Sequence, residues 1–559
     1  MRKTCPYLIG IGLIILLQNQ LNATVIEKTF FFNDFKVTNS GDYQLINFSN
    51  AQLSGIAGEP SLPYHAVSIL LPPGHAAQSI EIIGLNEKDI PGNYKLYPMQ
   101  HVKPISEDTA PQFVINQAIY NSNKSYPATP EGHLSTEYLH GHALATSVFT
   151  PLKYYPASGR VTFFSEVKIR ITSSPDASAE KALENLRPGI TDMDHVRFLS
   201  QNHDMLDTYP HSSEVMAGDY EILVVTPQSF FNAFESLRYT YLTRGLRMNI
   251  ISTDSVYDAH PAPTAKESIR NFIIQEYQNH GIQYVLLGGD IEHIPYAPFY
   301  CIVQSSSLYQ SSDIPADLYY SALDGSWNED GDDKWGEIGE DDLLPEVAVG
   351  RLPFSSAGDL DKMLHKIVQY QDYPVLNELD RPLLAGENLW TDPDTWGGDY
   401  LDLLIGHHED NGYITDGIPE NQNIQKLYDR DLYPSTWSSA DLLAAINEGK
   451  SFVHHAGHAN FFSVMKLAYS DITNENFASV NGATHNFTLV YTHGCNCGGF
   501  DQSDCIAERM VFIDNFAAAF VGNSRYGWFN EGTTEGPSEH LHREFIDALY
   551  ADKLFRIGR

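Results

Sequence analysis

Two segments of the chain carry a histidine or a cysteine among small residues at the end of an apolar run. One is Ser451-Phe-Val-His-His-Ala-Gly-His-Ala-Asn460; the other is Phe487-Thr-Leu-Val-Tyr-Thr-His-Gly-Cys-Asn-Cys-Gly-Gly-Phe500. A thiol hydrolase needs this pairing. The thiolate attacks a carbonyl, and an imidazole takes the thiol proton and returns it to the leaving amine. Gly457, Ala459 and Gly494 are small enough to let a peptide backbone approach and to leave N–H groups free for an oxyanion. Cys495 is the nucleophile on this reading and His458 its base and acid. Cys497 is a packing or structural neighbour, and His454, His455 and His493 are buried, hydrogen-bonded histidines.

The same residue types also admit other readings. His454, His455, His458, Cys495 and Cys497 could form the ligand set of a zinc-dependent hydrolase, although neither an H-E-x-x-H motif nor separated C-x-x-C pairs occur. A non-catalytic, calcium-dependent surface protein is a third reading, and retention of both Cys495 and His458 speaks against it. Past Cys5 the cysteines are Cys301, Cys495, Cys497 and Cys505. Three within eleven residues do not make a disulfide framework, although a Cys497–Cys505 bridge fits the spacing.

The acidic stretch from Asp313 to Glu346 holds twelve acids and one Lys. With Gly331 as the turn glycine of an EF-hand-like loop, Asn328, Asp330 and Asp332 fall at ligand spacing and Glu337 at the twelfth place. Ser326 holds the first place, which Asp324 could fill instead. The expected occupant is a structural Ca²⁺; no organic cofactor is implied.

The elements that position these residues alternate. After Gly218 the chain reads as strand, helix, strand: Ile222 to Val225, Asn249 to Ser252, Tyr284 to Leu287, Val347 to Gly350, Leu383 to Gly386, Phe452 to His454 and Phe487 to Tyr491 are apolar strands. Helical segments fall between most of them. One is opened by a Thr264/Glu267 capping box; others run from Ala357 to Tyr370 and from Ser439 to Ile446. This rhythm predicts an α/β fold with a mostly parallel sheet and helices on both faces, its site outside the carboxyl ends of the strands. Residues 24–175 read instead as short strands between Pro/Gly turns, a β-rich domain without a nucleophile. Residues 176–218 read as a polar linker with Lys181, Arg187 and Arg197 open to activation cleavage. Residues 1–23, with Arg2, Lys3 and an apolar run from Tyr7 to Leu17, read as a signal peptide. The expected location is secreted or at the cell surface, with no membrane span in the mature chain. A net charge of −36 argues against nucleic acid as a partner.

Residues 219–559 resemble the gingipain family of secreted bacterial cysteine peptidases. The resemblance is carried by Tyr284-Val-Leu-Leu-Gly-Gly-Asp290, Pro345-Glu-Val-Ala-Val-Gly-Arg-Leu352, the Gly-His-Ala-Asn run at 457–460, Gly494-Cys495 and Asp504-Cys-Ile-Ala-Glu508. Gly58-Glu-Pro-Ser-Leu-Pro63 and Leu70-Leu-Pro-Pro-Gly74 resemble that family's pro-domain. The resemblance implies a caspase-like fold behind an inhibitory pro-domain, a Cys495–His458 dyad, and protein or peptide substrates. It makes Glu387 an acid orienting the catalytic imidazole, and places Asp399 and Trp528 near a pocket for Arg or Lys. Ala459 stands where the family commonly has Gly, adding bulk against the substrate while keeping its N–H. The family usually continues past the point where this chain stops, so the resemblance implies a peptidase domain cut short at its C-terminus. Whether the role is digestive or that of a processing peptidase is left open.

Overall fold

The computed structural model describes residues 23–107, 113–187, 190–210, 218–305, 307–530, 533 and 536–556. The signal-peptide segment therefore lies, up to residue 22, outside the described residues. Among those described, no helix is long and apolar enough to cross a membrane.

The N-terminal domain is built from antiparallel strands. β1 (Thr24–Phe31), β3 (His75–Ile90) and β6 (Arg160–Pro175) belong to one sheet, with β6 paired to both of the others. β2 (Leu62–Leu70) and β5 (His142–Phe149) pair in a second sheet. Val167, Ile169 and Ile171 of β6 point inward with Val67, Ile69 and Phe149, while Lys168 and Arg170 face out. That period-2 pattern is what fixes the register. A short strand, β4 (Lys103–Pro104), leaves this domain altogether and pairs with the second one.

The second domain holds two parallel sheets. The first has the order β8-β7-β9-β10, where β7 is Ile222–Thr226, β8 Met248–Ser252, β9 Tyr284–Gly288 and β10 Ala348–Leu352. The second has the order β12-β11-β13-β14-β15: β11 is Leu383–Gly386, β12 Gln425–Tyr428, β13 Phe452–Ala456, β14 Thr488–Thr492 and β15 Ala517–Val521. Side chains alternate between two cores, as a doubly covered sheet requires. Leu223 and Val225 pack with α1 (Ala265–His280), whereas Ile222 and Val224 pack with α2 (Ala357–Asp372). In the second sheet Leu383 and Ala385 meet α4 (Ser439–Ile446) and α5 (Ile506–Phe512). Leu384 lies on the other face, with α3 (Gly397–Asp402) and α6 (Pro537–Tyr550). The α/β reading with a β-rich domain ahead of it therefore holds, as two sheets rather than one. The Thr264 hydroxyl accepts the Glu267 N–H at 3.4 Å, so the capping contact at the start of α1 is made.

The segment read as a polar linker is largely folded. Ala177–Ala182 and Ile190–Leu199 are helical, and Val196, Leu206 and Tyr209 are buried against Leu70, Leu139 and Leu144. Lys181 and Arg197 are exposed as expected, but Arg187 is not. Its guanidinium stacks on Tyr277 and donates to the Ile282 carbonyl at 3.2 Å, which ties it to the second domain. Residues 211–217 lie outside the described residues.

Candidate active site

Three adjacent strands of the second sheet present the three nominated residues at their carboxyl ends. β13 lies between β11 and β14, with Gly386 opposite Ala456 and His455 opposite Thr492. Glu387 follows β11 directly, His458 follows β13, and Cys495 follows β14. Close approach at the top of these strands requires the glycines. A Cβ on Gly494 would fall 2.3 Å from the Cβ of Ala459, and one on Gly457 would fall 2.3 Å from Nε2 of His455. Ala459 thus lies against the nucleophile turn. Asn523 holds that turn from outside, its Nδ2 donating to the His493 carbonyl at 2.8 Å and to the Gly494 carbonyl at 3.2 Å.

Cys495 is fully buried and packs with Ile105, Leu389, Trp390, Tyr400 and Phe529. Its Sγ accepts the Gly527 N–H at 3.4 Å. Burial pushes the thiol pKa up, and nearby groups of Gly527, Ser106 and Ile105 partly oppose this. Cys497 is pushed up to about 12 by burial, gives its thiol hydrogen to the Gly494 carbonyl at 3.5 Å and packs with the core of the second sheet, which suits a packing role. Cys301, Cys495, Cys497 and Cys505 are all free thiols, so the Cys497–Cys505 bridge is not formed.

The His458 ring is exposed, and its Nε2 lies 3.0 Å from the Leu389 carbonyl. Leu389 in turn packs beside Cys495 and so links the two walls of the site. Glu387 holds His458 differently from the expectation. Its Oε2 accepts the backbone N–H of His458 at 3.2 Å, and its Oε1 meets Nε2 of His455 at 3.0 Å. Burial alone would raise the Glu387 pKa, but the His455 hydrogen bond and the nearby imidazoles leave it below the usual carboxylate range.

The remaining histidines have partners of their own. His454 Nδ1 lies 3.1 Å from Nε2 of His542, and His542 Nδ1 lies 2.7 Å from Nε2 of His493. The five residues of the zinc reading are thus held by separate partners. Among the described residues the carboxylates of Asp330, Asp332 and Glu337 form the one group whose ligand atoms converge, within 4.8 Å of one another. Lys334 sits with them, 3.5 Å from Asp332 and 3.2 Å from Glu337. Asn328 is tied to the loop through Nδ2 to the Asp332 carbonyl at 2.9 Å, leaving its Oδ1 without a hydrogen-bond partner. Asp324 lies apart from the cluster: its carboxylate accepts from Asn185 and from the Gly141 N–H of the first domain.

Asp399 stands in the first turn of α3, where Arg430 pairs with its carboxylate and also with Asp402 at 2.9 Å. Trp528 begins β16 (Trp528–Phe529), its ring 5.5 Å from Tyr309. Sequence reasoning missed what lies over this strand. Lys103–Pro104 pairs antiparallel with Trp528–Phe529, and the Ile105 N–H donates to the Gly527 carbonyl at 3.0 Å. The Lys103 ammonium lies over the Trp390 ring at 4.9 Å, and Trp390 Nε1 donates to the Glu107 carbonyl at 3.1 Å. The first domain therefore runs an extended segment across the thiol. A lone Lys in a Pro-containing stretch has no periodicity or spacing that would have revealed it.

Residues 216–559 match the sequence profile of Peptidase family C25, and residues 16–194 match that of Propeptide_C25. Gingipain R2 of Porphyromonas gingivalis is 22% identical over 448 residues, covering 76% of this chain and 52% of that protein. The chain spans about half the length of the curated relatives it matches. The crystal structure of the Arg-specific cysteine proteinase gingipain R aligns with a TM-score of 0.42 at 17% identity, over 62% of this chain and 70% of that one. A complex of the pro- and mature domains of RgpB from Porphyromonas gingivalis aligns with a TM-score of 0.37 at 18% identity, over 55% of this chain and 64% of that one.

Proposed function

The chain belongs to peptidase family C25 and carries that family's propeptide, and from this we propose that it is an exported endopeptidase working through Cys495 and His458. The observation that carries the reading is the set of adjacent parallel strand ends bearing Glu387, His458 and Cys495, with a pro-domain strand laid over the thiol. An extended substrate takes the place of Lys103–Ile105, adding its backbone to β16. His458 removes the thiol proton, Sγ attacks the scissile carbonyl, and backbone N–H groups beside Cys495 and at Ala459 hold the oxyanion, the Gly494 N–H being taken by Thr492 Oγ1. His458 then protonates the leaving amine, and water attacking the thioester carbonyl releases the second product. Preference for a basic residue is supported by Lys103, which is buried against the Trp390 face beside Cys495. Asp399, shared with Arg430, and Trp528 are the further candidates for that pocket.

Mass spectrometry of casein digests tests this reading, with wild type beside Cys495→Ala. Cuts after Arg or Lys by the wild type alone are expected. Cuts with no basic preference overturn the pocket assignment, and equal activity of Cys495→Ala overturns the nucleophile. A structural Ca²⁺ at Asp330, Asp332 and Glu337 is a secondary proposal, supported by their convergence and by the free Oδ1 of Asn328. Calcium is expected to raise the melting temperature, and Asp330→Asn with Asp332→Asn to remove that rise.

A further inference from the structure

His455 is buried inside β13, one turn of the pleat before the residues that meet substrate, yet each of its ring nitrogens reaches a different strand end. Nε2 lies 3.0 Å from Oε1 of Glu387, after β11, and Nδ1 lies 2.7 Å from Oγ1 of Thr492, the last residue of β14. Both partners are already in use. Glu387 accepts the backbone N–H of His458 at 3.2 Å, and Thr492 Oγ1 accepts the backbone N–H of Gly494 at 3.0 Å. The line therefore runs from the main chain of the base to the main chain beside the nucleophile. Its links are the His458 N–H, Glu387, His455, Thr492 and the Gly494 N–H. The His493 N–H donates to the His455 carbonyl at 3.1 Å and closes the same connection through the backbone.

The Gly494 N–H gives to Thr492 Oγ1, and the Glu387 carboxylate accepts from His455 Nε2–H. The Thr492 hydroxyl, which can both give and accept, completes the line at His455 Nδ1. Gly457 is part of the device. A Cβ there would lie 2.3 Å from His455 Nε2 and 2.5 Å from Glu387 Cδ, so only glycine leaves room for the two side chains to meet.

We propose that His455 is a positioning residue that locks the base segment and the nucleophile turn into one register through Glu387 and Thr492. It touches neither substrate nor the reacting atoms. Its effect is to fix the separation of His458 and Cys495, on which an attack geometry depends. The inference rests on the Cys495–His458 reading, and its test separates the two.

His455→Gln, Thr492→Val, Thr492→Ser and the double variant His455→Gln/Thr492→Val are prepared in the full chain, with trypsin used to nick and remove the pro-domain. Two readouts are taken: casein hydrolysis, and the pH midpoint of iodoacetamide alkylation at Cys495. Expected are a tenfold or greater fall in kcat with KM within about twofold for His455→Gln and Thr492→Val, recovery in Thr492→Ser, and a double variant no worse than the poorer single. The alkylation midpoint should move up in the same variants and return in Thr492→Ser. Losses that multiply in the double variant, or an alkylation midpoint unmoved in His455→Gln, would overturn the positioning role. A wild type that leaves casein intact sinks the peptidase reading, and the alkylation midpoints then decide the relay alone.

Discussion

The thiol proposed as nucleophile is covered in the intact chain. Burial raises the Cys495 thiol pKa, and Ile105 packs against it, both of which disfavour attack by a thiolate. Iodoacetamide is therefore expected to label Cys495 at least tenfold faster once the pro-domain has been removed, while Cys497 stays unlabelled in both forms. Equal labelling of Cys495 before and after removal would show that the segment over it is not a barrier. Gly457→Ala should cost at least tenfold in activity while leaving the far-ultraviolet spectrum unchanged, because the added Cβ displaces Glu387 and His455. Full activity in that variant would mean the site tolerates their separation. The strand-end positions of Cys495 and His458 were legible in the sequence because each follows an apolar run closely and sits among small residues. The contact that Glu387 makes was only half legible. Its position after β11 could be read, but a carboxylate that binds the main chain of His458 and the ring of His455 looks no different in sequence from one that binds the catalytic ring. His455 itself reads as core, since a histidine within five buried residues has no pattern to mark it.

At the level of elements, α6 closes the second sheet with a line of imidazoles. His454 of β13 and His493, just after β14, both bond to His542 of α6, whose ring also stacks on Tyr491 at 3.9 Å. The strands were readable from their apolar runs. This attachment was not, because His542 is separated by 88 residues from His454 and by 49 from His493, and only the fold brings the three together. Burial holds His454 and His493 near about 3 and His542 well below its ordinary value. In the folded chain they stay neutral; in the unfolded chain they protonate below the usual value of about 6.5. The unfolded state therefore binds more protons as the pH falls, so this contribution to stability is full above about 6.5 and declines below it. Each histidine adds a slope of up to about 1.4 kcal/mol per pH unit. In urea unfolding at pH 7, 6 and 5, His542→Phe, which keeps the stack on Tyr491, should gain stability relative to the wild type as the pH falls. A difference between the two that stays constant from pH 7 to 5 would exclude this account.

Across the whole molecule the two domains meet at a second place, and it responds to pH in the opposite sense. Asp324, Asp342 and Glu346 come together beneath first-domain residues in a chain of net charge −36. Asn185 and the Gly141 N–H reach Asp324, and the His140 N–H reaches Glu346 at 3.2 Å. Around them, His140 Nδ1 meets the Tyr277 hydroxyl at 2.7 Å, His140 Nε2 meets His195 at 3.2 Å, and Arg187 pairs with Asp192 at 3.6 Å. The Arg270 guanidinium spends its hydrogen bonds on the carbonyls of Tyr319, Ala322 and Gly325 rather than on the acids. Burial, joined by the charge of Asp324, pushes Asp342 up to about 7, and burial with the charges of Asp324 and Asp342 pushes Glu346 well above its ordinary value. Docked, these acids keep protons; uncovered, they ionise in the ordinary carboxylate range near about 4. Docking of the pro-domain is thus linked to proton uptake. It is strongest below about pH 4 and weakens as the pH rises through about 7, by up to tenfold per pH unit for each proton taken up. After trypsin has nicked the connecting segment, the pro-domain should dissociate faster at pH 8 than at pH 5, as read by gel filtration and by the return of Cys495 labelling. Glu346→Gln, neutral at every pH, should make that dependence shallower by up to about tenfold per pH unit while keeping the Gln carbonyl as acceptor for the His140 N–H. Dissociation that is independent of pH in the wild type, or a dependence as steep in Glu346→Gln as in the wild type, would locate the control of latency in the segment over Cys495 alone.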